Sequence, residues 1–583
     1  MAIHFTRREF IVKLSSVSAA VASGGVLSAC SDDPLPVDFN YGVASGDPLT
    51  DRIILWTHAK YQTGSDPVNL IYQVANDTAF SSIVSSGQVT SGAETGFTVK
   101  VDALGLSAGK TYFYRFLCGP SISPIGQART LPASDATEVT FSVFSCADYP
   151  LGFFNAYAEA AKRDSHFAIH LGDYIYEYGT GSAPTDPIIQ NLKRFADHAN
   201  ETLSLEDYRK RHALYKSDPD SKTLHAKMPM IAVWDDHEVS NDNYKDGAQG
   251  HDPATEGLYT VRRTAAIQAF HEWMPIRTGA DKLKIYRSFD FGRLVSLHML
   301  ETRNIARDKQ IAITELAGLE GAAKQASALA EYARADRQML GAEQLAWLQQ
   351  KMSGSQATWQ VLGQQVLMAR MESPVSVLSV LNGDSRDPAA QQRGLEAINA
   401  YLTAKAKKAA GAPLTSTETA LLNPAINPKI GYNLDAWDGY IAAREAVLAS
   451  ALQLNKKLIS LAGDTHNGWH SDLTLMGLAN AALANVKVGE EFATPGVSSG
   501  GFEEYLPGFT PAQVKSLFEN IVDDLRWLDP SRRGYLKMTF TATEAKGEWI
   551  FVNQVLSRTY SADLGHTAPF RAAKKAVAPD VFI

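Results

Sequence analysis

Residues of uncommon chemistry stand just past the ends of short apolar runs. Cys146 follows Thr140-Phe141-Ser142-Val143-Phe144-Ser145, and Asp173 and Tyr176 follow Phe167-Ala168-Ile169-His170-Leu171. Asp236, His237 and Glu238 follow Met230-Ile231-Ala232-Val233-Trp234, and Asp464 and His466 follow Leu458-Ile459-Ser460-Leu461-Ala462. Carboxylate oxygens, a phenolate, an imidazole and a thiolate on one rim suit a cluster of hard metal ions. A phenolate with a thiolate favours ferric iron (Fe3+) at one position, and the carboxylates favour a hard divalent ion such as calcium (Ca2+) beside it. Asp173 has two oxygens and sits at a strand end after Gly172, so it is the residue placed to bridge ions.

The elements that must position these groups are legible from the same runs. Each is short, rich in β-branched or aromatic residues and bounded by Gly, Asp or Ser, the pattern of strands buried in a sheet. Open α/β sheets place ligands past the C-terminal ends of their strands. Thr358-Trp359-Gln360-Val361-Leu362 repeats the scheme and delivers Gln364, read as a ligand or as a hydrogen-bond partner of one. Asn155 opens a helix over 154–163 and is read as a phosphate contact or a helix cap. Asn241 is a further ligand candidate, with loop capping as its alternative. Arg209 and Arg303 are candidate phosphate clamps, because a planar guanidinium matches phosphate oxygens; their alternative is an ordinary salt bridge. Asp235 and Glu238 are placed to orient the ligands around them.

Residues 40–135 read as β structure punctuated by turns. Leu106-Ser107-Ala108-Gly109-Lys110-Thr111-Tyr112 resembles the tyrosine corner of fibronectin III-like sandwiches. The expected fold class is therefore α/β (α+β), with a small β-sandwich first and a larger mixed domain after it. Two helical insertions are expected over 311–335 and 388–429, and a tail of uncertain order over 561–583.

The metal-bearing blocks resemble those of the metallophosphoesterases, which run D-x-G, G-D-x-x-Y, G-N-H-E, V-x-x-H and G-H-x-H. Here Cys146 stands at the first Asp, Asp236 at the Asn, Gln364 at the His of the fourth block and Asp464 at the first His of the last. That pattern is similar to the PhoD-like alkaline phosphatases. Further stretches match: Gly42-Val43-Ala44-Ser45-Gly46-Asp47-Pro48, Leu205-Glu206-Asp207-Tyr208-Arg209, Gly363-Gln364-Gln365 and Trp437-Asp438-Gly439-Tyr440. Glu301-Thr302-Arg303 departs from the family's Asp-Thr-Arg while keeping the acid. The resemblance implies a metallophosphoesterase-type αββα sandwich over 136–560, iron and calcium as cofactors, and hydrolysis of phosphate mono- and diesters by hydroxide generated at the metals. His237 would protonate or orient the leaving oxygen. A phospholipase D-like phosphodiesterase of the same family and a non-catalytic phosphate-ester-binding lipoprotein are the alternatives.

The first residues read as an address. Thr6-Arg7-Arg8-Glu9-Phe10 precedes a small and apolar stretch, as in a twin-arginine export signal over 1–29. Leu27-Ser28-Ala29-Cys30 resembles a lipobox, which would acylate Cys30 and leave 30–39 as a tether. An ordinary cleavage near Ala29 is the alternative. The expected place is outside the cytoplasm, periplasmic or at the cell surface, anchored by lipid and delivered by the twin-arginine machinery. The full chain of 583 residues carries a net charge of -8 with no basic block, which argues against a nucleic-acid partner. Its few cysteines, Cys30, Cys118 and Cys146, exclude a disulfide scaffold.

Overall fold

The structure is a computed structural model that describes residues 36–571 except 183–186, 319 and 382–387. The twin-arginine pair, the lipobox and Cys30 lie outside the described residues. Two sheets share one apolar core. The first is nine-stranded, and at its centre Glu138–Phe144, Phe167–His170 and Met230–Ala232 run parallel. The second is seven-stranded, with Val295–Met299, Trp359–Gly363, Lys457–Ala462 and Lys487–Ala493 parallel. Phe141, Val143 and Ile169 of one sheet and Leu297, Val361 and Ile459 of the other sit in the same buried cluster. Strands covered on both faces need continuous apolar runs, which is why these segments lack alternation.

Helices cover the outer faces. Leu205–Ser217, Pro219–Lys227 and Tyr259–Trp273 add Tyr208, Leu224 and Phe270 to the first cluster. Gly341–Gly354, Ile441–Gln453 and Pro511–Ile521 add Leu348, Leu448 and Phe518 to a second. The helical insertions fall into place as Ala322–Tyr332 and Pro388–Ala409, each within its expected range.

The N-terminal sandwich pairs a five-stranded sheet, containing Val68–Ala75 and Thr111–Cys118, with Val43–Gly46, Arg52–His58 and Thr98–Leu104. The Tyr112 hydroxyl accepts the Ser107 N–H at 2.8 Å, which closes the expected corner. The sandwich is joined to the rest of the protein through a shared sheet. Val43–Gly46, Arg52–His58 and Thr98–Leu104 extend the nine-stranded sheet, through a parallel contact of Gly46 with Met230. A Cβ at Gly46 would lie 2.2 Å from the Pro275 carbonyl oxygen, so the seam requires glycine. Trp56 seals it, fully buried, with its indole N–H on the Glu272 carbonyl at 2.9 Å.

Both ends of the described chain differ from expectation. Val37–Asp38 pairs with Lys60–Tyr61, so the tether stops before residue 37. Ala562–Phe570 is not tail but the edge strand of the nine-stranded sheet, paired with Ala545–Val552. Its alternation, with Ala568 and Phe570 buried between exposed neighbours, fits an edge position.

Candidate metal centre

At the rim where the parallel strands end, the backbone turns sharply. Cys146, Asp173, Asp464 and His466 all have positive φ, at 58°, 53°, 65° and 62°. Such conformations are uncommon outside glycine and collect where the surrounding structure fixes them for function. Ligand atoms within 4.8 Å of one another form the triads Cys146–Asp173–His466, Asp173–Asp236–His237 and Asp235–Asp236–Asp464. Asp173 belongs to two triads and Asp236 to two, so the triads form a chain. Tyr176 joins the first: its hydroxyl lies 3.2 Å from Asp173 Oδ2, 3.3 Å from His466 Nε2 and 2.8 Å from Ser499 Oγ.

Buried carboxylates hold the frame. Glu238 accepts the N–H groups of Asp173 at 3.0 Å, Tyr174 at 2.6 Å and Asp235 at 2.6 Å, tying two strand ends together. Glu177 takes His237 Nδ1 at 2.7 Å with one oxygen and the Asn241 N–H at 2.7 Å with the other. The Gly500 carbonyl receives His466 Nδ1 at 2.5 Å, which leaves Nε2 as the free lone pair.

The electrostatics are those of a cation site. Burial, with the neighbouring acids adding to it, pushes Asp173 and Asp464 well above the carboxylate range. Asp235 and Asp242 are pushed up to about 7, chiefly by burial. Burial, then the charge of Asp173, raises the Cys146 thiol and the Tyr176 phenol. Against its own burial, Asp236 is held below the ordinary range by Arg303 and His237. Asp173 Oδ1, Asp235 Oδ2 and Asp236 Oδ1 are buried without a hydrogen-bond partner. Buried carboxylate oxygens are costly unless paired, and cations supply the pairing and invert the protonation. The residues therefore fit hard metal ions.

The triads open into a cleft of about 510 Å³, also lined by Asn241, Asp242, Asn433, Asp435 and Asn467. Leu378, Tyr432, Phe502, Tyr505, Leu506 and Phe518 add apolar and aromatic surface to the same cleft. Asn241 stands at the cleft, where its Oδ1 accepts a bond of 3.3 Å from Tyr178.

Other expected site residues lie elsewhere or are occupied. Arg209 pairs with Glu272 at 2.7 Å and with the Glu94 carbonyl at 2.8 Å, outside the cleft lining. Asn155 donates its amide to the carbonyls of Gln554 and Ser557, each at 2.8 Å, so it braces a loop and touches no phosphate site. Gln364 is saturated: its amide nitrogen meets the Val366 carbonyl at 2.5 Å and Ser460 at 3.2 Å, and its oxygen takes the Trp437 N–H at 3.0 Å. It is not a ligand. Arg303 reaches the triads but is fully buried among Asp235, Asp236, Asp435 and Asp464. Its donors neutralise ligands and leave none for a phosphate. Trp437, Tyr440 and Trp469, near the last metal block, are fully buried.

Sequence reading missed Glu177, Asp242, Asp435 and Ser499. Glu177 sits between Tyr176 and Tyr178, and Asp435 lies two residues before Trp437, so both adjoin blocks already singled out.

The comparisons agree with this geometry. The PhoD-like phosphatase profile matches residues 141–549, and that of the PhoD-like phosphatase N-terminal domain matches residues 21–132. Alkaline phosphatase D of Bacillus subtilis (strain 168) is 32% identical over 523 residues, covering 85% of this chain and 77% of that protein. A solved structure described as the structure of PhoD matches with a TM-score of 0.71 and 28% identity, covering 91% of this chain and 90% of that one. The chain belongs to the PhoD-like phosphatase family and is a phosphoric ester hydrolase.

Proposed function

We propose that this cleft hydrolyses phosphate mono- and diesters with iron and calcium held by the chained triads. The observation that carries the reading is the sharing of Asp173 and Asp236, which lets ions sit side by side in one cleft. Cys146, Asp173, Tyr176 and His466 are the donor set for ferric iron; Asp235, Asp236, Asn241 and Asp464 are the oxygen-rich set for calcium. Ions held there supply Lewis acidity, which polarises the ester and lowers the pKa of water.

The chain's own groups do the rest. Burial lowers the His237 pKa, but Asp236, Glu177 and Asp173 outweigh it and raise the imidazole well above its ordinary value in the metal-free chain. With Nδ1 bound to Glu177, its Nε2–H is the proton donor available to a leaving alcohol oxygen. Arg303 donates to Asp235 and Asp464 and fixes both carboxyls in place. Arg7-Arg8 and the Leu27–Cys30 motif support export through the twin-arginine route with a lipid on Cys30.

The test is metal analysis of native protein joined to turnover of an aryl phosphate ester before and after chelation. Iron and calcium should both be present, and chelation should abolish turnover. A tyrosinate on ferric iron absorbs visible light, so Tyr176→Phe should lose that band. Full activity with zinc alone would overturn the assignment of ions.

A further inference from the structure

Tyr505 is an exposed aromatic side chain on rigid backbone beside the triads. It ends the short helix Phe502–Tyr505 and is 60% exposed, while its neighbours Phe502 and Leu506 are 7% and 6% exposed. Phe502 is packed against Phe518 at 4.9 Å and Trp469 at 5.8 Å between ring centroids. Its N–H reaches the Pro530 carbonyl at 2.9 Å, and Glu503 pairs with Arg533. The segment is thus pinned beneath and on both sides while the Tyr505 ring is left in the cleft mouth.

The same segment touches the metal centre. The Gly500 carbonyl that orients His466 lies five residues before Tyr505. The helix that carries the ring is thus continuous with the backbone that orients His466. Tyr432, Leu378 and Phe518 line the same cleft, together with the carboxylates of Asp173, Asp236 and Asp464. What sets Tyr505 apart from other exposed aromatics is its place: its ring lines the cleft that holds the triads, next to the buried apolar residues Phe502 and Leu506.

We propose that Tyr505 is a specificity-determining residue, a stacking platform for an aryl or similarly flat organic group on the phosphate ester. This rests on the reading of the cleft as the site of ester hydrolysis. The ring contributes by burying its face against the group, with offset or edge-to-face geometry, and leaves the bond cleavage to the triads.

The experiment compares bis(4-nitrophenyl) phosphate with methyl 4-nitrophenyl phosphate, which share a leaving group and differ in the second ester group. The metal-loaded wild type should favour the bis-aryl ester in kcat/KM. Tyr505→Ala should cut that preference about tenfold, chiefly through KM of the bis-aryl ester, as expected for loss of an aromatic contact. Tyr505→Phe should restore it, because the ring and not the hydroxyl carries the contact. An unchanged preference in Tyr505→Ala, at wild-type metal content, overturns the proposal while leaving the hydrolytic reading intact. Failure of the wild type to cleave either ester overturns both.

Discussion

Arg303 Nη2 lies 3.1 Å from Asp464 Oδ1, and its Nε lies 2.5 Å from Asp235 Oδ1. One guanidinium thus serves acids contributed by different strand ends. It acts as a fixed internal cation in a site otherwise rich in negative charge. Removing one partner of a buried ion pair costs about 3–5 kcal/mol, because the other charge is left uncompensated. Arg303→Met should therefore lower the unfolding free energy of chelated protein by that order. The loss should be smaller when metals are bound, since the ions then pair the same carboxylates. Denaturant midpoints with and without chelator give the answer; equal losses in both states would show that Arg303 does not share its acids with metals.

Gly172 sets the spacing of two strand ends. Its φ is 111°, and a Cβ there would lie 2.3 Å from Asp235 Cβ and 2.5 Å from the Asp235 nitrogen. Neither atom is the end of a flexible side chain. Gly172→Ala should push Asp173 away from Asp235, cost about 1–3 kcal/mol from backbone strain alone, and lower the metal content of the purified protein. Normal metal content with an unchanged melting temperature would refute the close-approach argument.

The raised acids make one contribution to the pH dependence of the metal-free protein. Asp235, Glu238 and Asp242 are pushed up to about 7 in the folded chain, chiefly by burial. Unfolded carboxyls titrate near 4. Between about pH 4 and pH 7 these three groups therefore bind more protons in the folded than in the unfolded state, and their contribution to stability falls as pH rises, while buried histidines held low, such as His170, His212 and His271, contribute in the opposite sense. The rise in melting temperature when calcium is added to chelated protein should therefore be larger at pH 8 than at pH 5.5, because cations and protons compete for the same carboxyls. Melting curves with and without calcium at the two pH values measure it. An equal or larger rise at pH 5.5 would contradict the assignment.

The candidate ligands were legible in the sequence for a local reason. Cys146, Asp173, Asp236 and Asp464 each stand directly after a buried strand, so a run of apolar residues announces the polar group that follows. Arg303 was misread because its partners come from positions 235, 236, 435 and 464, a convergence that no local pattern reveals. Arg209 was misread likewise, its Glu272 being supplied by another helix. Aromatic residues near the last metal block gave no sign of which way they faced: Trp469 is buried and Tyr505 is exposed. The edge strand Ala562–Phe570 follows a short loop and pairs only with its hairpin neighbour, so its polar faces read as tail.

Charge in the cleft decides between ester classes. A monoester carries a second negative charge that needs a cation beyond the metals. Among the described lining residues there is no Lys or Arg, and His237 is the cationic side chain, while Asp242 and Asp435 face the same space. The two arginines that could have served are held by Glu272 and by the metal-site acids. A diester carries a single charge and brings a second organic group, for which Leu378, Tyr432, Phe502 and Phe518 offer apolar contact. The enzyme should cleave a bis-aryl diester at least comparably to the aryl monoester at equal metal loading and alkaline pH. Parallel kcat/KM values on 4-nitrophenyl phosphate and bis(4-nitrophenyl) phosphate decide it. A monoester preference above about a hundredfold, roughly 2.7 kcal/mol of transition-state discrimination, would mean that a cation absent from this lining reaches the second charge, and the argument from the cleft's composition would fail.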